Sequence, residues 1–394
     1  MKNKILTNPP DLYNSLYDNI DHNLVLRRGD FLQKNENKKY MVIDLLGTGT
    51  FSQVVRCVST DGEEVAIKIV KNSPKYYFYE MNEVRILQNL MYKNLSKYFV
   101  EIKDVFMFKE HLCIVQELLG YNLYEMLKIT GFKGFDHKIV QKLGRQLLEG
   151  LTQLSLMGIT HCDLKPENIL IKNCNTFDIK IIDFGSAFIS PQQSNFYVQS
   201  RYYRSPEVIL GIPYSNLCDI WSFGCIIYEI YMGVPIFPGK DNADLLGKIH
   251  NFFSRLPKFM LEHGKHTNVY FEKENNYKII FDPKGPTMNE IIDKIKSKNN
   301  NLYIDDVFVS FVLSCLNPSH LTRPSSDELL KHKYLCFNMK NENDFAIRNQ
   351  PTPIPPISKQ RRNSDYSAVR AKKNKDEKRK CSVFNMTNEN KPNN

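Results

Sequence analysis

The stretch His161-Cys162-Asp163-Leu164-Lys165-Pro166-Glu167-Asn168, with Asp183-Phe184-Gly185 shortly after it, carries four side chains suited to moving a phosphoryl group. Asp163 is a carboxylate able to take the proton of an attacking hydroxyl, and Lys165 is a cation able to neutralise the group in flight. Asn168 and Asp183 are hard oxygen donors of the kind that hold Mg²⁺ against nucleotide phosphates. A lone His-x-Asp says little, because a buried histidine satisfied by an acid is the commoner arrangement. Four functional side chains at these spacings, followed by Asp-Phe-Gly, are far more specific. Between the two motifs, Asp178-Ile179-Lys180-Ile181-Ile182 is a β-branched run suited to a short strand that delivers Asp183 to a turn.

Other segments have to position this set. Tyr40 to Leu46 and Gln53 to Ser59 are strand-like, and Gly47-Thr48-Gly49-Thr50-Phe51-Ser52 lies between them. A glycine-rich turn of this form also opens the helix of dinucleotide-binding folds. The β-branched residues on both sides (Val42, Ile43; Val54, Val55, Val58) favour a hairpin here, one that can lie over a triphosphate and offer it the N–H groups of Gly47, Thr48 and Gly49. Ser52 occupies the third glycine position, where close backbone approach is less free. Val65-Ala66-Ile67-Lys68 is the next strand, with Lys68 at the expected remove for a phosphate-binding lysine.

Tyr77, Met81, Val84, Leu87 and Leu90 recur at helical spacing, which predicts an amphipathic helix from about residue 75 to 91. Glu83 lies off that apolar series and is the expected partner of Lys68. Glu80, one turn earlier, competes with it but reads mainly as a solvated carboxylate. Leu112 to Leu119 predicts a buried strand, and Gly120 begins the crossing to a second, mainly helical part. Gln141 to Leu156 is a helix pattern leading into the Asp163 loop, and Asp219-Ile220-Trp221-Ser222-Phe223-Gly224 opens a central apolar helix. Residues 255 to 302, rich in Lys and Asn, read as an insertion, and Ser325 with Glu328 gives the last helix a capping-box start.

Bulk properties set limits on this reading. The chain has 394 residues, 42% of them hydrophobic and 24% charged, ample for one two-lobed domain or two ordinary ones. The net charge of +10 is concentrated in the tail, where residues 359 to 391 hold eleven Lys or Arg against four Asp or Glu. The nine cysteines show no CxxC pair and no zinc spacing, as expected of free thiols in a reducing compartment. The N-terminus lacks a signal-peptide core, and the apolar run Ile220 to Phe237 is interrupted by Ser222, Glu229 and Pro235, as suits a core helix better than a membrane span. A soluble, intracellular protein is expected. Residues 1 to about 38 read by composition as a disordered leader. In the tail, Pro351 to Pro356 suggests an extended linker, Lys372 to Lys380 a nuclear signal, a nucleic-acid contact or a merely solvated run, and Ser364 a site for basophilic kinases.

Taken together, residues 40 to 337 resemble a eukaryotic protein kinase. The implied fold is α+β and bilobal: a small β-rich N-lobe with one helix (40–117), a larger mainly helical C-lobe (120–337), a leader (1–39) and a disordered basic tail (338–394). The form HCDLKPEN, with Cys162 where many kinases have Arg, and the segment Tyr197 to Glu207 resemble the DYRK family of the CMGC group. Tyr17-Asp18-Asn19 through Gly29-Asp30, and Gly264-Lys265, look closest to its Yak branch. The resemblance implies ATP and Mg²⁺, protein Ser/Thr substrates, and tyrosine autophosphorylation at Tyr197, although the family's first tyrosine is Asn195 here.

The resemblance also implies site roles. Val55 and Ala66 would line the nucleotide pocket, Gln116 would back it, and the backbone of Glu117 and Leu119 would meet the adenine edge. Arg201 and Arg204 would read a phosphate on Tyr197. Arg204 would favour proline after the target residue, Glu167 would attract an upstream arginine, and Arg323 would pair with Glu207 structurally. Two other classes fit less well. An inactive kinase-fold scaffold would need a broken phosphate or metal set, yet Lys68, Asp163, Asn168 and Asp183 are all present. A nucleic-acid-binding protein would need basic residues in the folded part, which is nearly balanced. The expectation is a monomer without membrane or nucleic-acid partners, in the cytoplasm, the nucleus or both.

Overall fold

Alternating apolar residues between Phe31 and Glu117 build one antiparallel sheet in the computed structural model, which describes residues 4–12, 16–189, 198–273, 276–281, 285–299 and 302–336. Its strands are β1 (Phe31–Gln33), β2 (Lys39–Thr48), β3 (Ser52–Ser59), β4 (Glu64–Val70), β5 (Ile102–Phe108) and β6 (His111–Glu117), ordered β1-β2-β3-β4-β6-β5. Helix α1 (Pro74–Tyr92) connects β4 to β5.

Register assigns the two faces of this sheet. Val54 is opposite Lys68, and Ala66 is opposite Gln116. Directly paired residues share a face, and the next residue along each strand takes the other. Val55 therefore faces away from Lys68, paired with Ile67, in a core with Tyr40, Val42, Cys57 and Val115. This corrects the expectation that Val55 lines the nucleotide pocket; Val54 is on the Lys68 face instead.

The leader covers that second face. Leu24, Leu26 and Leu32 belong to the same core as Val55 and Ile67. The Leu6 N–H donates to the Leu26 carbonyl at 2.9 Å, and Gln53, itself buried, donates to the Leu24 carbonyl at 2.7 Å. Asp18 meets His111 at 2.7 Å, with both side chains buried. The composition of this segment reads as disordered, yet Thr7, Asp18, Asn19, Asn23, Leu24, Leu26 and Leu32 are buried. An apolar sheet face has to be removed from water, and three leucines suffice to tie the polar leader to it.

The second lobe is mainly helical. Helix α2 (Leu123–Ile129) starts on an Asn122/Glu125 capping box. Helix α3 (His137–Leu156) begins four residues before the expected Gln141, because Asp136 caps it by accepting from the Ile139 N–H at 2.9 Å. The short strand β7 (Ile159–Thr160), the hairpin β8 (Ile169–Asn173)/β9 (Asp178–Ile181) and β10 (Phe188–Ile189), paired with β7, frame the catalytic motifs. After α4 (Pro206–Leu210), helix α5 (Leu217–Met232) is buried almost all round, as its apolar sequence requires.

Helix α6 (Asn242–Phe253) precedes the expected insertion, whose described residues form α7 (Lys258–His263), α8 (Thr267–Tyr270), the hairpin β11 (Phe271–Glu272)/β12 (Lys278–Ile279) and α9 (Met288–Asn299). Met260, Leu261, Phe271, Ile291 and Ile295 anchor this region in the lobe. Helix α10 (Leu302–Cys315) and α11 (Ser326–Leu329), with the Ser325/Glu328 capping box in place, lead to a final turn, α12 (Lys333–Cys336). Among the described residues no helix is long and apolar enough to cross a membrane. Asn195, Tyr197, Pro351 to Pro356, Ser364 and Lys372 to Lys380 lie outside the described residues.

Candidate active site

Regular elements and the loops at their ends deliver the functional side chains. Strand β4 brings Lys68 to the inner face, where its Nζ lies 2.5 Å from Glu83 Oε2, 2.7 Å from Glu80 Oε2 and 3.1 Å from Asp183 Oδ1. Glu83 is thus the partner expected for the lysine. Glu80 departs from expectation, being fully buried beside the same ammonium rather than solvated. Tyr77, which fits the apolar series, is 39% exposed one turn nearer the start of α1. The inner face of the helix is set by charge complementarity with Lys68 as much as by hydrophobicity.

Electrostatics follow from this crowding. Burial alone would lower Lys68, but Asp183, Glu83 and Glu80 outweigh it and hold the ammonium well above its usual range. Burial pushes the Glu83 carboxyl well up, against the pull of Lys68. Burial acts the same way on Asp183, but there Lys68 and then Lys165 prevail and hold it down at about 2, firmly ionised.

The loop after β7 places Asp163. The Lys165 ammonium donates to Asp163 Oδ2, and the Ser200 hydroxyl donates to Asp163 Oδ1 at 2.7 Å. Lys165 also reaches Ser200 Oγ at 3.2 Å. Ser200 is a site residue to which the sequence reading gave no role; its only signal is its place in Gln199-Ser200-Arg201. The Asn168 amide nitrogen donates to the Asp163 carbonyl at 2.9 Å, which spends the nitrogen and keeps the amide oxygen for a cation. His161 locks the loop from behind. Its Nδ1 accepts from the Asp163 N–H at 3.1 Å and its Nε2–H donates to the Ile182 carbonyl at 3.0 Å, so the two bonds together assign the tautomer.

Behind the loop, the carboxylate of Asp219, at the start of α5, accepts from the N–H groups of His161 at 2.7 Å and Cys162 at 3.0 Å. Phe184 is fully buried against His161 and Phe99, with ring centroids 4.9 and 5.7 Å away. Cys162 (φ 63°) and Asp183 (φ 66°) both adopt left-handed backbone, which side-chain-bearing residues hold only when their surroundings force it.

The surroundings of Lys68 are framed as the strand order requires. Ala66 and Gln116 are side by side near Lys68. An ideal Cβ on Gly47 would meet nothing within 4 Å, and one on Gly49 would meet only the Ser52 carbonyl at 3.5 Å, so space is open beside the turn. The Gly49 N–H closes the turn onto that carbonyl at 2.7 Å, while Thr48 ends β2. The Glu117 N–H donates to the Glu101 carbonyl at 3.1 Å. The fully buried Lys180 ammonium, on β9, grips the Glu117 carboxylate and lies 3.2 Å from Glu101. This tie between the crossing and the strand leading to Asp183 has no counterpart in the sequence reading. Leu119, at the crossing, is buried.

Arg323 forms a two-pronged bridge to Glu207 at 2.6 and 3.0 Å with both side chains fully buried, the pairing expected from the sequence. Arg204 is buried and donates to the carbonyls of Val198 at 2.9 Å and Gln199 at 2.6 Å and to Asn242 at 2.7 Å. Arg201 donates to the Lys240 carbonyl at 2.6 Å.

Comparison with known proteins agrees with this geometry. Residues 40–335 match the protein kinase domain family. The chain is 55% identical over 398 aligned positions to the probable dual specificity protein kinase YAK1 homolog of Encephalitozoon cuniculi, covering 99% of this chain and 98% of that one. It is 40% identical to the dual specificity protein kinase YAK1 of Saccharomyces cerevisiae, over 68% of this chain and 34% of that one. It is 34% identical to the dual specificity tyrosine-phosphorylation-regulated kinase 4 of Homo sapiens, over 84% and 64%. The chain thus spans almost all of the first relative but about a third and just under two thirds of the others. A glycine hairpin over Lys68, the Asp163 loop and the Asp183 turn converge in a chain that belongs to the protein kinases, in the YAK1 branch of the DYRK family.

Proposed function

We propose that the convergence of Lys68, Asp163, Lys165, Asn168 and Asp183 on one cleft is the phosphotransfer machinery of a protein Ser/Thr kinase of dual specificity, with ATP as phosphoryl donor. The new bond joins the γ-phosphorus to a Ser or Thr oxygen of a protein, the bond to the β-phosphate oxygen breaks, and the hydroxyl proton passes to Asp163. The hydrogen bond from Ser200 to Asp163 supports this role, because it shows a hydroxyl already seated on that carboxylate. Lys165, bonded to the same carboxylate, is placed to neutralise the transferring group. Lys68 would orient the α- and β-phosphates, and the backbone of Gly47, Thr48 and Gly49 would cover them, with the Gly49 N–H spent inside the turn.

Asn168 and Asp183 fit Mg²⁺: one keeps an amide oxygen, the other is held ionised, and both are hard donors. Mg²⁺ bound there would neutralise charge on the phosphates. Ala66, Gln116 and Val54 would line the adenine site, with the backbone of Glu117 and Leu119 at its edge.

Substrate preference and activation are read from the segment before α4. Arg204 already takes the Val198 and Gln199 carbonyls, and Gln199 has left-handed backbone (φ 67°). An acceptor for the N–H after the target residue is thereby spent, which favours proline, a residue without that N–H. Glu167 Oε2 is buried without a hydrogen-bond partner, near Glu229, whose carboxyl is pushed up to about 7 by burial. That pair suits an upstream arginine. Tyr197 is the proposed autophosphorylation site, with Arg201 and Arg204 as cations for its phosphate. We place the chain as a monomer in the cytoplasm, the nucleus or both, with Lys372 to Lys380 as the candidate address.

The deciding experiment is ATP-dependent phosphate transfer to a Ser/Thr peptide array, with mass spectrometry of the purified chain. Transfer to proline-flanked sites and phosphate on Tyr197 are expected. An inert protein with an intact fold would end the reading.

A further inference from the structure

Lys68 is surrounded by more anions than one lysine needs. Glu80 and Glu83 are three residues apart on α1, hence on one face of the helix, and both are buried at the same ammonium. Neither oxygen of Glu80 has a hydrogen-bond partner, although Oε2 lies 2.7 Å from Lys68 Nζ. Taking a second carboxylate out of water is costly, and an apolar residue at this position would avoid that cost. Glu80 also belongs to the site rather than to the helix surface. An ideal Cβ on Gly185 would lie 3.6 Å from Glu80 Oε1 and 3.8 Å from Glu83 Oε2, so both carboxylates border the Asp183-Phe184-Gly185 turn. The Asn82 side chain, between them, donates to the Ala187 carbonyl at 2.9 Å and fixes the helix against the segment after that turn.

We propose that Glu80 is a second, independent anchor for Lys68, a positioning residue that holds the ammonium when Glu83 does not. Both carboxylates already touch the lysine, so the exchange needs a small turn of its ammonium and no movement of α1. When phosphates draw Lys68 away from Asp183, two carboxylates remain behind it to fix its direction. Loss of the helix glutamate is then buffered in this chain. The inference rests on the phosphotransfer reading above.

The test uses the full chain with ATP as the varied substrate and compares E83Q, E80Q, the double variant and K68M. Gln preserves volume and removes the charge. Each single variant is expected to lose about tenfold or less in kcat/KM for ATP, while the double variant falls to the level of K68M, a loss greater than the product of the two singles. KM for the peptide stays unchanged in both single variants, which a general loosening of the fold would not allow. Thermal melting of each protein separates unfolding from lost chemistry. If the double variant does not fold, E83Q alone decides: kcat/KM for ATP within about tenfold of wild type supports Glu80 as the remaining anchor, and activity near that of K68M overturns it. E83Q as inactive as K68M, or a double variant no worse than E83Q, overturns the proposal. An inactive wild-type chain would instead remove the reading beneath it.

Discussion

The Arg323–Glu207 pair and the Lys68 cluster are both buried, and each joins residues more than a hundred positions apart in the chain, yet they are built on opposite principles. Arg323 faces one carboxylate with both prongs of its guanidinium and gives its remaining bonds to the carbonyls of Leu217 at 2.7 Å and Asn317 at 2.9 Å, above the ring of Trp221. Charge is balanced and the geometry closed. Lys68 faces three carboxylates, one of which, Asp183, keeps 37% of its side chain exposed. Here charge is in surplus and one side is open. A planar, saturated fork suits permanent structure, whereas a point charge with unspent anions around it suits a visiting cation and its phosphates. Burial and ion pairing alone do not separate the two; balance and openness do.

Substitutions can break this contrast at either end. The largest effect is expected at the open site: Asp163→Asn should lower phosphotransfer on the order of 10²–10⁴-fold while leaving nucleotide binding nearly intact, as calorimetric titration with ATP would read. Arg323→Met should leave KM for ATP unchanged in the folded fraction but cost about 3–5 kcal/mol in urea unfolding, because Glu207 is left buried and alone.

Acid titration should sharpen the contrast through its sign. Arg323 outweighs the burial that would raise Glu207 and holds it below its ordinary value of 4.5, so that pair contributes above 4.5 and is lost as pH falls through the lower folded value. Glu83, raised by burial, behaves in reverse: its contribution is full below 4.5 and fades as pH rises through the higher folded value. Unfolding free energies across that range should show Glu207→Gln flattening the acid limb, while Glu83→Gln gains on wild type as pH rises. The smallest effect separates the two sheet faces. Val55→Ala should cost roughly 1–2 kcal/mol of stability with little change in KM for ATP. Val54→Ala should raise that KM and barely move the melting temperature.

How much was legible in the sequence depends on what each residue needed in order to be seen. Asp163, Lys165, Asn168 and Asp183 lie in short motifs whose chemistry restricts the side chain at each step. Lys68 and Glu83 could be paired because one sits in a strand and the other on a helix of readable period. Val54 and Val55 could not be told apart by type. Only the pairing of Val54 with Lys68 decides between them, and in a strand a one-residue offset reverses the face. Glu80 read as solvated because the ammonium that holds it comes from another element. The leader read as disordered on composition, although Leu24 and Leu26 carry a period of two that matched a strand-like surface waiting to be covered. Ser200 had no pattern at all; its role exists only once the segment folds back over Asp163.

The packed leader has a consequence for the order in which this protein takes shape. By the time residue 117 has left the ribosome, the nascent chain holds all six strands and the leucines that seal them. The first lobe can thus hide its apolar surface during translation, well before Asp183 exists to meet Lys68. A chain that lacked those early residues would carry bare valines and isoleucines through the synthesis of more than two hundred further residues, a long exposure to aggregation.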